Sequence, residues 1–277
     1  MSADAVTVVL SGGGAKTAAH LGAHRALAEA GLRPARYVAT SMGAVLAAGL
    51  AAGVSPQDLL GKLVEVGRYG IARDPLAPVA GLFLRSLLRP VPLRRAFEAL
   101  VPARRFSDLA IPVTVSVVDL ETGELVRYGA AGRDAPLIDV LCATCALPLY
   151  LPAQLLEGRR CGDGGLRGVL PLHAAAGLAQ EPVLAVDVGP GFDLVPTTPL
   201  PWVPPVVRAH DEAVGTLMAA LTQAQLGVWR ATERQPLIYV RPRVERSATF
   251  RVDRILQYAD DGYRATRDAL AARLART

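Results

Sequence analysis

The residues most able to do chemistry include a serine that follows a short apolar run. Ser41 stands in Ala-Thr-Ser-Met-Gly, with Ala39 two residues before it and Gly43 two residues after it. A tight strand-to-helix turn needs small residues at those two places and exposes the serine hydroxyl at the helix amino end. The pattern favours a nucleophilic serine, with the N–H of Met42 as an oxyanion donor. A serine that only caps the helix is the alternative, and the pentapeptide alone does not exclude it.

A glycine loop precedes this serine, between an apolar strand and a helical pattern. Gly12, Gly13 and Gly14 are followed by Ala15 and Lys16. Such a loop brings backbone N–H groups and a helix amino end close to an anion, either a phosphate or the oxyanion of an acyl intermediate. It lacks the Gly-Lys-Ser/Thr ending of a P-loop. A plain tight turn is the alternative, and Lys16 either adds positive field or is a solvated helix residue.

A nucleophilic serine also needs a base. The chain order Ser, Asp, His of an α/β-hydrolase fits poorly, because only one strand precedes the strand that leads to Ser41. The acidic candidate is Asp163, in Cys-Gly-Asp-Gly-Gly with Gly164 and Gly165. An ordinary Asp-Gly turn is the alternative reading of that segment.

The glycine loop, the serine turn and the Asp-Gly-Gly turn occur in an order that resembles the patatin-like phospholipase family. The resemblance covers roughly residues 5 to 190, and further segments extend it. Those segments are Ala19–Gly22, Leu27–Gly31, Phe106–Val113, Asp119–Gly123, Ala143–Pro148 and Pro171. The resemblance implies an α/β fold, a three-layer α/β/α sandwich with a mostly parallel central sheet. We expect one domain over residues 1–277, with core motifs within 5–190 and a C-terminal helical part over 203–277.

The family resemblance also implies a mechanism and a set of site residues. Ser41 and Asp163 would form a catalytic dyad without a histidine, in a serine acyl hydrolase that cleaves phospholipids or other carboxylic esters through an acyl-enzyme. No cofactor is implied. The expected oxyanion hole consists of backbone N–H groups of Gly12, Gly13, Gly14 and Met42. The expected supporting residues are Lys16, Gly43, Gly164 and Gly165.

Two positions depart from the family pattern. Ala39 replaces a usual glycine, and Thr17 replaces the glycine that usually follows the basic residue of the loop. Neither change removes a catalytic group. They leave open a catalytically silent lipid-binding or regulatory protein on the same fold, and the glycine loop leaves open a nucleotide-binding protein.

Metal and redox chemistry have weaker signals. Cys142 and Cys145 form a C-x-x-C pair without the second pair that a zinc site needs. His20 and His24 lie one helical turn apart, but no third ligand is evident from the sequence. We expect packed thiols, structural histidines and no metal.

Composition narrows the partners and the location. The formal charge is +5, aromatic residues make up 5%, and the arginines are spread along the chain, so we expect no nucleic-acid partner. The beginning has no signal-peptide pattern, which predicts a cytoplasmic protein, with peripheral membrane contact left open. The uncharged stretch from Tyr37 to Val54 is interpreted as a strand and a buried helix rather than a membrane span. The sequence does not determine the oligomeric state.

Strand and helix patterns alternate along the chain, which predicts a parallel sheet between helices. The expected strands are 6–10, 36–39, 112–118, 124–128, 183–188 and 237–240. The expected helices are 15–30, 42–52, 55–66, 210–232 and 252–276. Residues 70–92 are expected to form either an apolar flap that contacts lipid or an irregular packed loop, and residues 190–205 a surface loop.

Overall fold

The chain folds around a central eight-stranded sheet with helices on both faces. The structure is a computed structural model, and it describes residues 4–69, 90–193, 205–233, 235–246 and 251–274. The strands are β1 (Ala5–Leu10), β2 (Arg33–Ala39), β3 (Val113–Asp119), β4 (Leu125–Gly129), β5 (Gln154–Leu156), β6 (Arg159–Asp163), β7 (Val183–Val186) and β8 (Leu237–Val240). The helices are α1 (Ala18–Glu29), α2 (Ser41–Ala51), α3 (Pro56–Tyr69), α4 (Pro90–Leu100), α5 (Leu137–Thr144), α6 (Leu172–Ala175), α7 (Pro205–Thr232) and α8 (Ile255–Leu274).

The sheet is parallel in its middle and antiparallel at one end. The strand order is β5-β6-β3-β2-β1-β7-β8, and β4 pairs with β3 outside this path. The pairs β3–β2, β2–β1, β1–β7 and β7–β8 are parallel. Strands β4, β6 and β5 join by antiparallel pairs. Parallel neighbours need helical crossovers, and helices α1, α2 and α7 lie within those connections.

Alternate residues of the central strands enter two separate cores. In β1, Val8 and Leu10 pack into a core that also contains residues of α1, α2, α3, α4 and α5. Val9, between them, packs into the second core with Leu226 and Trp229 of α7. Because successive side chains of a strand point to opposite faces, these two cores make three layers. The expected three-layer α/β/α sandwich is therefore confirmed.

Most of the expected elements are confirmed, with shifted ends. β2 begins at Arg33, ahead of the expected Arg36, and α7 begins at Pro205, ahead of the expected His210. The expected single helix over 15–30 is a 3₁₀ turn at Gly14–Thr17 followed by α1. β8, within the expected C-terminal helical part, pairs with β7 of the central sheet.

Five helices and strands in the middle of the chain are absent from the elements expected from the sequence. They are α4, α5, α6, β5 and β6. α4 begins at Pro90, inside the segment for which we expected a flap or an irregular loop, so this part of that expectation is wrong. The rest of that segment, residues 70–89, and residues 194–204 of the expected surface loop lie outside the described residues.

Two glycines let α1 and α8 cross at very short range. A Cβ atom on Gly22 of α1 would overlap the carbonyl of Ala259 of α8, and one on Gly262 of α8 would overlap the carbonyl of Ala19. The opposing atoms are backbone, which cannot rotate away as a side chain could. This crossing fixes the last helix of the chain against the helix that leaves the glycine loop.

We expect Gly262→Ala to lower the free energy of unfolding by about 1–3 kcal/mol, because overpacking forces the two backbones apart. Gly61→Ala is the matched control, since a Cβ on Gly61 in α3 meets open space. Alanine there removes backbone entropy from the unfolded chain and is expected to stabilise by up to about 1 kcal/mol. Chemical denaturation of both variants measures the difference, and equal effects would contradict the close crossing.

Candidate active site

Strands β2 and β6 run toward each other along one edge of β3 and meet at Ser116. Ala39, the last residue of β2, pairs with Val115, and Asp163, the last residue of β6, pairs with Val117. The other edge of β3 is taken by β4 at the same positions. Because β2 is parallel and β6 antiparallel to β3, the segments that follow β2 and β6 leave the sheet at the same point. This topology brings Ser41 and Asp163 together across the sequence.

The carbonyl of Ser116, in the gap between the two strand ends, is held by two threonine hydroxyls. Thr144 Oγ1 donates to it at 2.7 Å, and Thr40 Oγ1 lies 3.4 Å from it. Thr144 Oγ1 also accepts the backbone N–H of Ser41 at 2.9 Å. One buried hydroxyl at the end of α5 therefore ties the serine backbone to the middle of β3.

Ser41 lies in a strained turn, and its hydroxyl is hydrogen-bonded to a carboxylate. Its φ is +52°, a left-handed conformation that a non-glycine residue adopts only when its surroundings enforce it. Its hydroxyl donates to Asp163 Oδ2 at 2.8 Å. Gly43 lies over the end of β1, where a Cβ would overlap the carbonyl of Ser11. The sequence-predicted turn is thus present, and it presents the Ser41 hydroxyl to the predicted acid.

Asp163 is buried, and its carboxyl group is partly compensated by two hydrogen bonds. Oδ1 accepts the N–H of Gly165 at 2.7 Å, and Oδ2 accepts the Ser41 hydroxyl. Burial raises the pKa of Asp163 to about 7, and the two hydrogen bonds oppose that rise. A carboxylate with a pKa near neutrality is a far stronger base than an exposed one, and it is still ionised in part at pH 7.

The Asp-Gly-Gly turn depends on a close approach at its first glycine. A Cβ on Gly164 would overlap both the Ser116 carbonyl and the Thr40 hydroxyl. Gly165 contributes through its backbone, as the N–H donor to the Asp163 carboxylate. Gly164 therefore permits the close approach that places Asp163, and Gly165 donates a hydrogen bond to its carboxylate.

The glycine loop lies directly against the serine. A Cβ on Gly12 would stand 2.9 Å from Ser41 Cβ and 3.5 Å from Ser41 Oγ. Gly14 has a φ of +59°, the left-handed conformation that favours glycine, and it opens the 3₁₀ turn that leads into α1. Thr17, where the family usually has glycine, donates its hydroxyl to the Gly14 carbonyl at 2.7 Å. The departure at Thr17 thus adds a bond within the loop.

The expectation that Gly12 donates to an oxyanion needs a correction. Its N–H already donates to the carbonyl of Val169 at 2.9 Å. Val169 follows the Asp-Gly-Gly turn. The role of Gly12 in the site is to leave room beside Ser41. Gly13, Gly14 and Met42 are only partly buried, as is Ser41 itself, so they remain the candidates for donors.

Lys16 is buried, so the view of it as a solvated helix residue is wrong. Its side chain is 2% exposed, and Nζ lies 3.4 Å from the carbonyl of Arg246. Burial and the charge of Arg241 lower the pKa of Lys16 to about 8, while Asp187 and Glu245 act in the opposite direction. Lys16 thus ties the glycine loop to the chain that follows β8.

The segment of Asp187 after β7 supports this side of the loop. Asp187 accepts hydrogen bonds from the Tyr239 hydroxyl at 2.8 Å and from the Gly189 N–H at 2.8 Å, and Arg241 pairs with it at 3.0 Å. A Cβ on Gly13 would lie 2.8 Å from Val188 Cγ2. The buried ion pair therefore fixes the backbone against which Gly13 packs.

The cysteines and histidines considered for metal or redox chemistry form no such site among the described residues. All three cysteines are free, and Cys145 lies close enough to Ser41 for a side-chain hydrogen bond. Burial raises the pKa of the Cys145 thiol well above its usual range. Within the described residues, no group of three or more His, Cys, Asp and Glu side chains is arranged to hold a metal ion.

Two contributors to the site escaped the sequence reasoning. The sequence places Thr144 only within a segment that resembles the family, and it gives no indication of the Ser116 carbonyl. Backbone carbonyls carry no sequence signal, and the partners of Thr144 are set by strand pairing. Nothing in the sequence around Thr144 reveals this role.

A comparison with known protein families identifies the family of this chain. The model of the family described as patatin-like phospholipase matches residues 8–176, more than half of the chain. The chain belongs to the patatin-like phospholipase family. The matched range includes the glycine loop, Ser41 and Asp163 of this patatin-like chain, but it ends before β7.

The curated relatives of this patatin-like chain are similar over most of its length. An uncharacterised NTE family protein of Mycobacterium tuberculosis is 29% identical over 222 residues, which cover 75% of this chain and 57% of the relative. The patatin-like phospholipase domain-containing protein 6 of Mus musculus is 26% identical over 193 residues, which cover 68% of this chain and 14% of the mouse protein. The chain thus spans little more than half of the first relative and a small part of the second.

A solved structure shares the fold of this patatin-like chain. VipD from Legionella pneumophila superposes with a TM-score of 0.52 at 15% identity, over 97% of this chain and 67% of VipD. At that identity the likeness concerns the fold alone. In the part of the chain that the structure describes, none of the helices is both long and apolar enough to span a bilayer.

We expect Thr144→Val to lower the free energy of unfolding by about 1–3 kcal/mol, because it leaves the Ser41 N–H without its partner and removes the shorter of the two hydrogen bonds to the Ser116 carbonyl. Thr144→Ser keeps the hydroxyl and is expected to retain most of the stability. Urea denaturation of the two variants measures the difference. A loss in Thr144→Ser as large as the loss in Thr144→Val would contradict a dominant contribution of the hydroxyl.

The burial of Asp163 predicts a pH-dependent cost to stability. Its pKa in the folded chain is about 7, above the value of about 3.9 in an unfolded chain. The stability that the fold gains while Asp163 is protonated is therefore fully present below about pH 4, and it is lost as the pH rises through 7. Asp163→Asn cannot ionise, so we expect it to be more stable than the wild type at pH 8, by on the order of a few kcal/mol. Thermal melts at pH 8 and pH 4.5 measure this gap, and a gap that does not shrink toward acid pH would contradict the raised pKa.

Proposed function

We propose that this chain is a serine acyl hydrolase that cleaves lipid acyl esters with Ser41 as nucleophile and Asp163 as general base. One observation carries the proposal, the 2.8 Å hydrogen bond from Ser41 Oγ to Asp163 Oδ2 at a serine held at positive φ. An ordinary helix cap has neither a left-handed backbone nor a buried carboxylate as partner. The structural arrangement supports a nucleophile over the capping alternative.

In the first half of the proposed reaction, Ser41 Oγ attacks the ester carbonyl while its proton moves to Asp163 Oδ2. The carbonyl oxygen becomes an oxyanion, which we assign to backbone N–H groups of Gly13, Gly14 and Met42. The first N–H groups of a helix have no carbonyl partner within the helix, so that of Met42 is suited to this role. An oxyanion donor of this kind contributes about 2.7–4 kcal/mol to the transition state. The intermediate then collapses, the alcohol leaves with the proton from Asp163, and an acyl-serine remains.

In the second half, the same carboxylate activates water. Asp163 accepts a proton from the water as its oxygen attacks the acyl-serine carbonyl. Collapse of this second intermediate releases the carboxylic acid and returns the proton to Ser41. The elevated pKa suits both roles, because the acid must take up and give back a proton within one cycle.

Membership of the patatin-like phospholipase family, rather than the shape of a pocket, supports lipid acyl esters as the substrate class. The family model and a named relative are both described as patatin-like phospholipases, which supports a phospholipid or another lipid acyl ester. Such substrates lie in membranes, so we propose a protein that works at the membrane surface from the cytoplasmic side.

The proposed activity is tested with p-nitrophenyl esters of graded acyl length, with and without phospholipid vesicles. We expect Ser41→Ala and Asp163→Asn each to lower kcat by at least about 10³-fold, because each removes a member of a unit that acts together. Ser107→Ala is the control, since Ser107 is exposed and distant in sequence from the motifs. We further expect kcat/KM of the wild type to rise with pH through an apparent pKa near 7, since the base is the carboxylate.

The outcomes separate the competing functions. Hydrolysis by the wild type that survives in Ser41→Ala would exclude Ser41 as nucleophile. No hydrolysis at any chain length, with no labelling of Ser41 by a fluorophosphonate, would favour the catalytically silent lipid-binding protein. Thermal stabilisation by ATP or GTP without hydrolysis would favour nucleotide binding at the glycine loop.

A further inference from the structure

A small cavity lies between α1 and the sheet, away from the Ser41–Asp163 pair. It has about 10 Å³ of room for the centre of a water molecule, which is close to what one water needs. Three of its lining residues carry polar atoms: His20, His24 and Tyr37. The others are aliphatic, namely Val8, Leu10, Ala23, Leu27, Leu50, Leu184 and Val186.

The polar atoms that line this cavity are buried without protein partners among the described residues. They are His20 Nδ1, His24 Nδ1 and Tyr37 Oη. His20 is 1% exposed and Tyr37 is fully buried. A buried polar group left without a hydrogen bond destabilises the fold, so three such atoms around one cavity indicate a common ligand.

The hydrogen-bond roles of these atoms define that ligand. His20 Nε2 lies 2.8 Å from the carbonyl of Ser11, which can only accept, so Nε2 carries the proton and Nδ1 is an acceptor. The Tyr37 hydroxyl can donate. Burial lowers the pKa of His20 to about 4 and raises the pKa of Tyr37, so both side chains are neutral at pH 7.

A water molecule fits these roles better than a metal ion does. Water can donate to His20 Nδ1 and accept from the Tyr37 hydroxyl, and it can act as donor or acceptor toward His24 Nδ1 according to the tautomer of His24. Three hydrogen bonds are typical of a buried water. A divalent cation would find no carboxylate in the lining, and its charge would be buried among aliphatic side chains.

We propose that one water molecule binds between Tyr37, His20 and His24 and holds His20 as a positioning residue of the glycine loop. His20 reaches that loop through the Ser11 carbonyl, the residue that precedes Gly12. The same carbonyl lies under Gly43, next to the nucleophile turn. The Ser11 hydroxyl accepts the Val188 N–H at 2.8 Å, which fixes this residue from its other side.

The cavity and its polar atoms are sufficient evidence for the water site, which does not depend on the proposed function. Its effect on catalysis rests on the proposed function. A shift of the Ser11 carbonyl would move the loop donors relative to the oxyanion, which changes kcat more than KM because the oxyanion exists only after attack.

The direct test is a crystal structure of the full chain at a resolution that shows ordered water. We expect one peak in the cavity at about 2.7–3.2 Å from His20 Nδ1 and Tyr37 Oη. The peak is expected to be absent or displaced in Tyr37→Phe. An empty cavity in the wild type would overturn the proposal, as would an anomalous peak about 2.0–2.1 Å from a histidine nitrogen, which marks zinc.

Histidine NMR tests the tautomer without relying on activity. In ¹⁵N-histidine-labelled wild type, His20 is expected to be neutral and protonated at Nε2 from pH 8 down to pH 5, in keeping with its lowered pKa. A His20 that is protonated at Nδ1, or that is charged at pH 6, would remove the acceptor on which the water site depends.

Kinetics test the positioning role. We expect Tyr37→Phe to lower kcat on p-nitrophenyl esters by about tenfold with KM unchanged, since small displacements of catalytic groups have effects of this size or larger. Tyr128→Phe is the matched control, because it removes an equally buried phenol hydroxyl whose partner is Glu157. It is expected to leave kcat unchanged.

A second pair of variants separates positioning from folding. His20→Gln retains a donor for the Ser11 carbonyl and is expected to keep more kcat than His20→Leu, which has none. Equal kcat in these two folded variants, or equal kcat in Tyr37→Phe and the wild type, would overturn the positioning role. If the wild type hydrolyses no ester, the proposed function fails, while the crystal and NMR results still decide the water site.

Discussion

The structure depends on two strands that meet end to end on one edge of β3. β2 and β6 occupy successive parts of that edge, and the single residue between their pairing positions is Ser116. Neither strand can continue, because the other occupies its hydrogen-bonding partners. Each of the two segments must therefore turn out of the sheet at the same place, and side chains at these two strand ends come into contact. The contact between Ser41 and Asp163 follows from this strand pairing.

The meeting point also explains why the surrounding residues are small or hydroxylated. Two segments that leave a sheet together leave room for only glycine at Gly164, and the buried Ser116 carbonyl between them needs the hydroxyls of Thr40 and Thr144. The positive φ of Ser41 is the strain that this crowding imposes. Such strain persists only where neighbouring contacts over-determine the backbone, which here they do through the Thr144 hydroxyl and the close packing of Gly43.

The sequence revealed those parts of the site that are local in the chain. Small residues around Ser41, glycines beside Asp163 and the run at Gly12 each leave a signature within a few residues, and the alternation of apolar runs indicated the parallel sheet. The parts set by long-range pairing left none. The antiparallel β6, the bond from Gly12 N–H to Val169 and the burial of Lys16 all depend on which segments become neighbours. A glycine loop predicts available N–H groups, but only the packed chain decides which of them a neighbouring carbonyl already occupies.

Burial of Asp163 connects stability with reactivity at this site. A dyad without histidine has to obtain a base near neutrality from a carboxyl group whose ordinary pKa is about 3.9. No cation is among the groups that shift the pKa of Asp163, and burial is the main cause of the rise. The same burial makes the ionised acid costly to the fold, and among the described residues only the Gly165 N–H and the Ser41 hydroxyl reduce that cost. More donors would stabilise the carboxylate but weaken it as a base, so a small number of hydrogen bonds to Asp163 is what a general base in this position requires.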